Sequence, residues 1–504
     1  MRTGLLLSVG IALQVAAIIA TAPYGASLWI DEILSAWITD GSLGSAVSRS
    51  LTYQGQSPLF FILLWLLRCL PMPLEISLRL LSVLSGVMAG WGLWRVVDDR
   101  RERMASLWAV VLFLTIDAVL VSGMSARPYM LALALVVWSF HSFQAWLKDG
   151  SPTQQWIFIG CTVAAFYTHY LFVGVLLIEI IWWYVYKPRR TIVGDKRAYI
   201  EMVGSVGCIA ALCLPGLYQL IQLFYRTQEL TFAAPPDAVR LLSILFPPLC
   251  LIGVAIAVVL ASLSQNQPVE RLRNTLQRPF VICCLFWHIF PPIVFFTWSL
   301  SGGPGLFLER YFLWHSIGLV LALAIIMAEI VPQAHRVLAI GCVVGLSIIS
   351  NAARSWKVED WRGALRAVER RENAPLVLLY TGLIEAERSG FARSIDHREY
   401  LLAPVHVYAP ALQALPIPFT IGTERHRDYR NEQLLPSLQG REQVTLVAVD
   451  KEVLVDGKHT EEAVSALEKF LAAHGFIRRS SEHYGAVQVV ELRREGRHDL
   501  EAVS

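Results

Sequence analysis

Apolar residues run through the first 351 positions of this chain in long blocks parted by short polar or basic stretches, and the pattern then breaks up. A helix needs about 20 apolar residues to cross the hydrocarbon of a bilayer. Against that length, eleven spans are expected, at 4–22, 77–97, 104–122, 129–147, 156–168, 170–186, 199–219, 239–262, 279–299, 311–331 and 335–351. The stretch 156–186 is one apolar run interrupted by Thr168-His169-Tyr170, too long for one crossing, and it reads as a hairpin. Pro58 to Leu70 is apolar over only about 13 residues, nearer the length of a helix lying in the membrane interface. The loop 23–76 is therefore expected to carry two short amphipathic helices, one from Asp31 and one from Ser57.

Beyond residue 351 the period changes. Trp361 to Arg371 has helical spacing, 376–380 and 444–449 are short β-type runs, 460–474 is an amphipathic helix, and 486–492 a closing strand. Helices interleaved with buried strands predict a small α/β domain over 352–504, attached to a membrane domain over 1–351. The tail contains no Gly-rich phosphate loop, no nucleophile elbow and no clustered metal ligands.

Composition sharpens this division. The 504 residues are 55% hydrophobic and 16% charged, with a mean hydropathy of +0.50. Of the 83 Asp, Glu, Lys and Arg, 44 fall in residues 352–504. Two solvents are implied, and an ordinary soluble enzyme, a disordered chain and a disulfide scaffold are excluded. All eight cysteines lie between Cys69 and Cys342 with no CxxC pair, as expected of inert buried thiols. A net charge of +3 gives no argument for nucleic acid. The first apolar block has the look of a signal peptide, but with further spans behind it an uncleaved first helix is expected.

Basic residues are retained on the cytoplasmic side of a membrane. Arg2, the run Arg95 to Arg103, Lys148, Lys187 to Arg197, Arg271, Arg273, Arg278 and Arg336 fall on one side of the count. The opposite loops carry mostly single arginines, namely Arg49, Arg127, Arg226, Arg240 and Arg310. The N-terminus is then cytoplasmic and the tail, after an odd number of crossings, extracytoplasmic. In a bacterium the chain is expected in the inner, or cell, membrane.

With that orientation Asp31, Glu32, Arg127, Tyr129, His169, Tyr170, Glu309, Arg310 and Tyr311 gather at the outer face. Ionisable groups at the ends of apolar helices need a partner or a use, so each is a candidate. Asp31 and Glu32 open a short helix, where an N-cap and a first-turn acid would serve the helix dipole alone. Adjacent helical side chains point about 100° apart, so Asp31 is expected to face the site and Glu32 to support it. Arg127 and Arg310 either snorkel into headgroups or hold a phosphate with their planar forks. Glu309 is placed to orient Arg310. His169 is either a satisfied group at a tight turn or a phosphate or sugar contact. Asp117 and Glu179 are the acids expected inside spans.

An acid facing two arginines at an outer leaflet fits one chemistry. The carboxylate takes the proton of a hydroxyl attacking a lipid-linked sugar, and the arginines neutralise the departing lipid phosphate. A monophosphate does not demand a metal, and no cofactor is expected. The order Asp31-Glu32, Ser57-Pro58-Leu59-Phe60-Phe61, Arg79-Leu80, Arg127-Pro128-Tyr129, Thr168-His169-Tyr170, Glu309-Arg310-Tyr311 and Asp360-Trp361-Arg362 resembles bacterial glycosyltransferases of the GT-C superfamily. The groups it resembles are the dolichyl-phosphate-mannose protein mannosyltransferase-like and RgtA/ArnT-like families. The chain departs from that pattern at Gln56-Ser57-Pro58 and at Ser125. The resemblance implies an integral membrane enzyme with a polyprenyl-phosphate sugar donor and a lipid, polysaccharide or protein acceptor. It also implies an essential aspartate in the first outer loop, matched by Asp31. A transporter or flippase of lipid-linked glycans is the competing reading, which internal repeats and midplane charges would favour. A glycan polymerase or ligase, expected to have a large outer loop late in the chain, is a third.

Overall fold

The computed structural model describes residues 2–495 apart from 54–55, 99–102, 187–191, 226–235, 265–267, 303–304, 332–334, 354–358, 372–374, 388–389, 392–393, 450–453, 456–457 and 460–462. Arg100, Arg101, Lys187, Arg189, Arg190 and Arg226, counted above, lie outside the described residues, as does the start of the helix expected from 460.

The molecule is a polytopic α-helical membrane protein with an α/β region at its C-terminal end. Helix fills each of the eleven apolar blocks, in some cases in two pieces. Among the described residues, four helices are long and apolar enough to cross a membrane: Leu74–Val97, Tyr129–Asp149, Arg197–Leu223 and Pro279–Leu300. Others, among them His315–Ile330 and Leu338–Ala352, are apolar but shorter. The segment Leu59–Arg68 has ten residues, too few to cross. Aromatic side chains, including Trp108, Phe140, Phe143, Phe158 and Trp287, fill the space between the helices, while Val87, Ile200, Leu214 and Tyr218 face outward. Close helix contact depends on Gly318: a Cβ there would lie 2.8 Å from the His288 nitrogen and nearer still to the Cys284 carbonyl.

The span expected at 104–122 is bent. Helix α1 here denotes Met104–Phe113, and α2 denotes Asp117–Gly123; they meet at 72°. The Thr115 N–H and Oγ1 both donate to the Leu112 carbonyl, at 3.0 and 2.7 Å, closing the last turn of α1 at the break. Asp117 is consequently an exposed first-turn acid of α2, placed at the break of this bent pair and not inside one continuous helix. Glu179 does lie within its helix, fully buried, and accepts from Ser139 Oγ at 2.6 Å.

The loop 23–76 holds helices Ile30–Ile38, Leu43–Thr52 and Leu59–Arg68. The first and third are the two expected; the middle one was not. The tail builds one five-stranded sheet from β1 (Leu376–Tyr380), β2 (Ala414–Pro416), β3 (Gln443–Val449), β6 (Phe476–Tyr484) and β7 (Val487–Arg494), in the order β2-β1-β3-β7-β6. Strands β4 (Leu454–Val455) and β5 (Lys458–His459) form a separate short pair. β1 runs parallel to β2 and β3, whereas β7 is antiparallel to β3 and β6. Helices Trp361–Glu369 and Ala463–Ala472 agree with the sequence pattern.

The core of the tail does not close on itself. Leu28, Ile33, Leu34, Trp37, Phe60 and Phe61 of the loop 23–76 share one apolar cluster with Trp361, Leu365, Tyr380, Tyr400 and the sheet. Tyr53 stacks on Tyr400 at 5.3 Å between ring centres, and Trp37 packs edge-on against both.

Candidate active site

The loop before helix Ile30–Ile38 is pinned by an arginine. Arg79 Nη1 donates to the carbonyls of Pro23, Tyr24 and Ala26 at 2.8, 2.9 and 3.0 Å, and Nη2 to Ser27 O at 3.2 Å. Its remaining donors meet Glu32, at 2.6 Å from Nη2 to Oε2 and 2.9 Å from Nε to Oε1. Glu32 is fully buried and also accepts from the Trp29 and Ala126 backbone N–H groups at 3.3 and 2.8 Å. Four donors therefore meet one carboxylate, a strongly anchored arrangement that leaves little reach toward a ligand. Glu32 ties Ile30–Ile38 to Arg79 and to the segment that presents Arg127.

Trp29, not Asp31, is the N-cap of that helix. Asp31 lies in the first turn and points elsewhere than Glu32, as helical geometry requires. Its Oδ2 is 3.5 Å from Arg310 Nη1 and 3.9 Å from Arg127 Nη2. Arg127 Nη1 also donates to the Asp31 main-chain carbonyl at 3.2 Å. The Asp31 side chain keeps 20% of its surface, Arg310 keeps 30% and Arg127 only 5%, so the acid and one arginine remain reachable. Burial pulls the Arg127 pKa down, but Asp31 and then Tyr129 outweigh it, so the group stays charged.

Aromatic rings form the wall behind the ions. Both guanidinium carbons lie 5.9 Å from the Tyr129 ring centre, and Arg310 lies 5.6 Å from Tyr311. His169 packs between Tyr129 and Tyr311 at 5.4 and 5.5 Å. Burial, and after it Arg127 and Arg310, push the His169 pKa down to about 3, so the ring is neutral and offers hydrogen bonding rather than charge.

Not every candidate joins this group. The Tyr170 hydroxyl donates to the Gln219 side-chain oxygen, and its ring packs edge-on against Phe166 at 4.9 Å. Glu309 precedes Arg310 in a short turn, but the charges acting on it are those of Arg240 and Asp117; burial is the largest effect and raises its pKa to about 7. Ser57, from the motif order, anchors the loop by donating to Phe166 O at 2.9 Å. Arg79, the partner of Glu32, stands in the motif order as Arg79-Leu80 but not among the candidate site residues. Arg79, an arginine in an apolar helix, was the available signal, since such a charge needs a counter-ion.

Fold and site together define a polytopic helical membrane protein that holds a carboxylate between two arginines against an aromatic wall. The family model described as dolichyl-phosphate-mannose-protein mannosyltransferase matches residues 55–218, and the resemblance read from the motif order is borne out over that stretch. It takes in Arg79, Arg127, Tyr129, His169 and Tyr170, and stops short of Asp31 and Arg310. In structure the chain is similar to ArnT from Cupriavidus metallidurans in the apo state, with a TM-score of 0.47 and 10% identity over 96% of this chain and 97% of that one. The same protein bound to undecaprenyl phosphate gives a TM-score of 0.44 at 10% identity, with the same coverage of both chains. Among the curated proteins compared, none matches.

Proposed function

We propose that the chain is an integral membrane glycosyltransferase that takes one sugar from a polyprenyl monophosphate and passes it, with inversion, to a hydroxyl or amine of a glycolipid, polysaccharide or protein. The observation that carries this reading is the Asp31 carboxylate held within 3.9 Å of both Arg127 and Arg310. In the proposed step Asp31 accepts the proton of the acceptor group as its oxygen or nitrogen attacks the anomeric carbon. The bond from that carbon to the phosphate oxygen breaks, and the electron pair leaves with the lipid phosphate. Arg310, the more exposed fork, and Arg127 behind it stabilise that developing charge. Asp31 and the phosphate compete for the same guanidinium groups, so donor binding loosens the ion pairs and frees the carboxylate to act as a base.

The family match over residues 55–218 and the apolar helices support the same reading. In this proposal the N-terminus is cytoplasmic, and the site and tail face outward from the inner membrane. A deletion strain tests it. Mass spectrometry of its envelope should show the polyprenyl-phosphate sugar accumulating and one sugar missing from an outer acceptor. Unchanged donor pools and unchanged glycans would exclude the enzyme, and accumulation of an intact lipid-linked glycan on the inner leaflet would favour a flippase.

A further inference from the structure

We infer that Glu359, at the entrance to the tail, is a positioning residue for Asp31, and that the tail completes the active site by clamping the loop in which Asp31 sits. The inference rests on the catalytic reading of Asp31 given above and adds a second holding device to the one supplied by Arg79.

The contacts fall on consecutive parts of the loop. Glu359 Oε2 accepts from the Ile30 N–H at 2.9 Å, one residue before Asp31, and from Trp361 Nε1 at 2.9 Å. Tyr408 Oη accepts from the Leu28 N–H at 2.8 Å. The Arg362 N–H donates to Ser27 Oγ at 3.1 Å, and its guanidinium donates to the Gly25 carbonyl at 3.0 Å and to Glu75 at 2.9 Å. Arg79 takes carbonyls from the same loop on the membrane side. The tail thus serves N–H groups of Leu28 and Ile30 that precede the first full helical turn and have no helical acceptor.

Glu359 is itself fixed from behind. It bridges to Gly485 at the β6–β7 turn, and the Asp360 N–H donates to the Tyr484 carbonyl at 3.1 Å. Asp360 also caps the next helix by accepting from Gly363 N at 2.8 Å. A glutamate only 5% exposed, its backbone bridged to the β6–β7 turn and its carboxylate on the Ile30 N–H, fixes where the helix bearing Asp31 begins. Misplacing a reacting group by about 1 Å is enough to lower a rate about a hundredfold.

The test uses the full chain in detergent or nanodiscs, with Glu359→Ala, Glu359→Gln and Tyr408→Phe. Hydrogen exchange over residues 24–32 and initial rates with a polyprenyl-phosphate sugar are read side by side. Glu359→Ala should speed exchange at Ile30 and lower kcat by about ten- to a hundredfold, with the donor KM within about threefold of wild type. Glu359→Gln, which keeps an acceptor oxygen, should restore most of both. Should Glu359→Ala fail to fold, Tyr408→Phe removes one acceptor while keeping the ring, and should give a smaller change of the same kind at Leu28. Wild-type exchange and wild-type kcat in Glu359→Ala would overturn the inference, as would a pure rise in KM. Faster exchange in the variant of a chain whose wild type transfers no sugar would preserve the clamp and reject the glycosyltransferase reading instead.

Discussion

Glu32 and Arg79 meet at two points, 2.6 and 2.9 Å, with both side chains almost fully buried. Removing one partner of such a pair leaves an uncompensated charge and costs about 3–5 kcal/mol. Arg79→Ala is therefore expected to lower the melting temperature and yield more than any single change at Asp31, Arg127 or Arg310. Arg79→Lys, a point charge without the fork, should recover only part of the loss. Thermal unfolding of the purified variants checks this; an unchanged melting temperature for Arg79→Ala would show that the loop is held by other means.

Arg310 is the exposed half of the arginine pair that faces Asp31. Arg310→Ala should weaken binding of polyprenyl monophosphate by about tenfold or more, and Arg310→Lys by less, since a charged hydrogen bond to phosphate is worth about 1.5–3 kcal/mol. Titration of the lipid phosphate into each variant measures it. Equal, wild-type affinities in both would remove Arg310 from the phosphate site.

Glu309 titrates at about 7 in the folded protein, against an ordinary value of 4.5, chiefly through burial. Between those two values the unfolded chain gives up the proton while the folded one keeps it. Folding stability therefore falls as pH rises from about 4.5 to about 7 and is flat above, by up to about 3 kcal/mol. Glu309→Gln should lack that slope. Melting temperatures of both proteins across pH 5 to 8 make the comparison, and parallel curves would contradict it.

His169 is neutral far below any working pH. His169→Gln should leave the affinity for polyprenyl monophosphate between pH 6 and 8 within about threefold of wild type, because a neutral ring contributes at most one ordinary hydrogen bond. A loss comparable to that of Arg310→Ala would mean the imidazole carries charge when the lipid is bound.

The membrane part was legible because its apolar blocks are uninterrupted and each one is helical in the structure. The bend between α1 and α2 was not, because Leu114-Thr115-Ile116 contains neither Gly nor Pro to mark it. Helix Leu43–Thr52 was missed because its serines dilute the apolar period. Strand β6, with Arg478, Arg479, Glu482 and His483 in nine residues, lies at the end of the sheet order and buries little. In the site, Asp31, Arg127 and Arg310 could be found as charges at helix ends. Glu359 and Tyr408 could not: a carboxylate in a charged tail carries no mark of a partner some 330 positions earlier.

The most direct measurement of the central claim is single-turnover sugar transfer by Asp31→Asn, alongside its binding of polyprenyl monophosphate. With Asp31 as the base, the rate should fall by about a hundredfold or more while lipid phosphate binding stays within about threefold of wild type or tightens, since the arginines lose their internal competitor. A variant that transfers sugar at close to the wild-type rate would place the proton acceptor elsewhere.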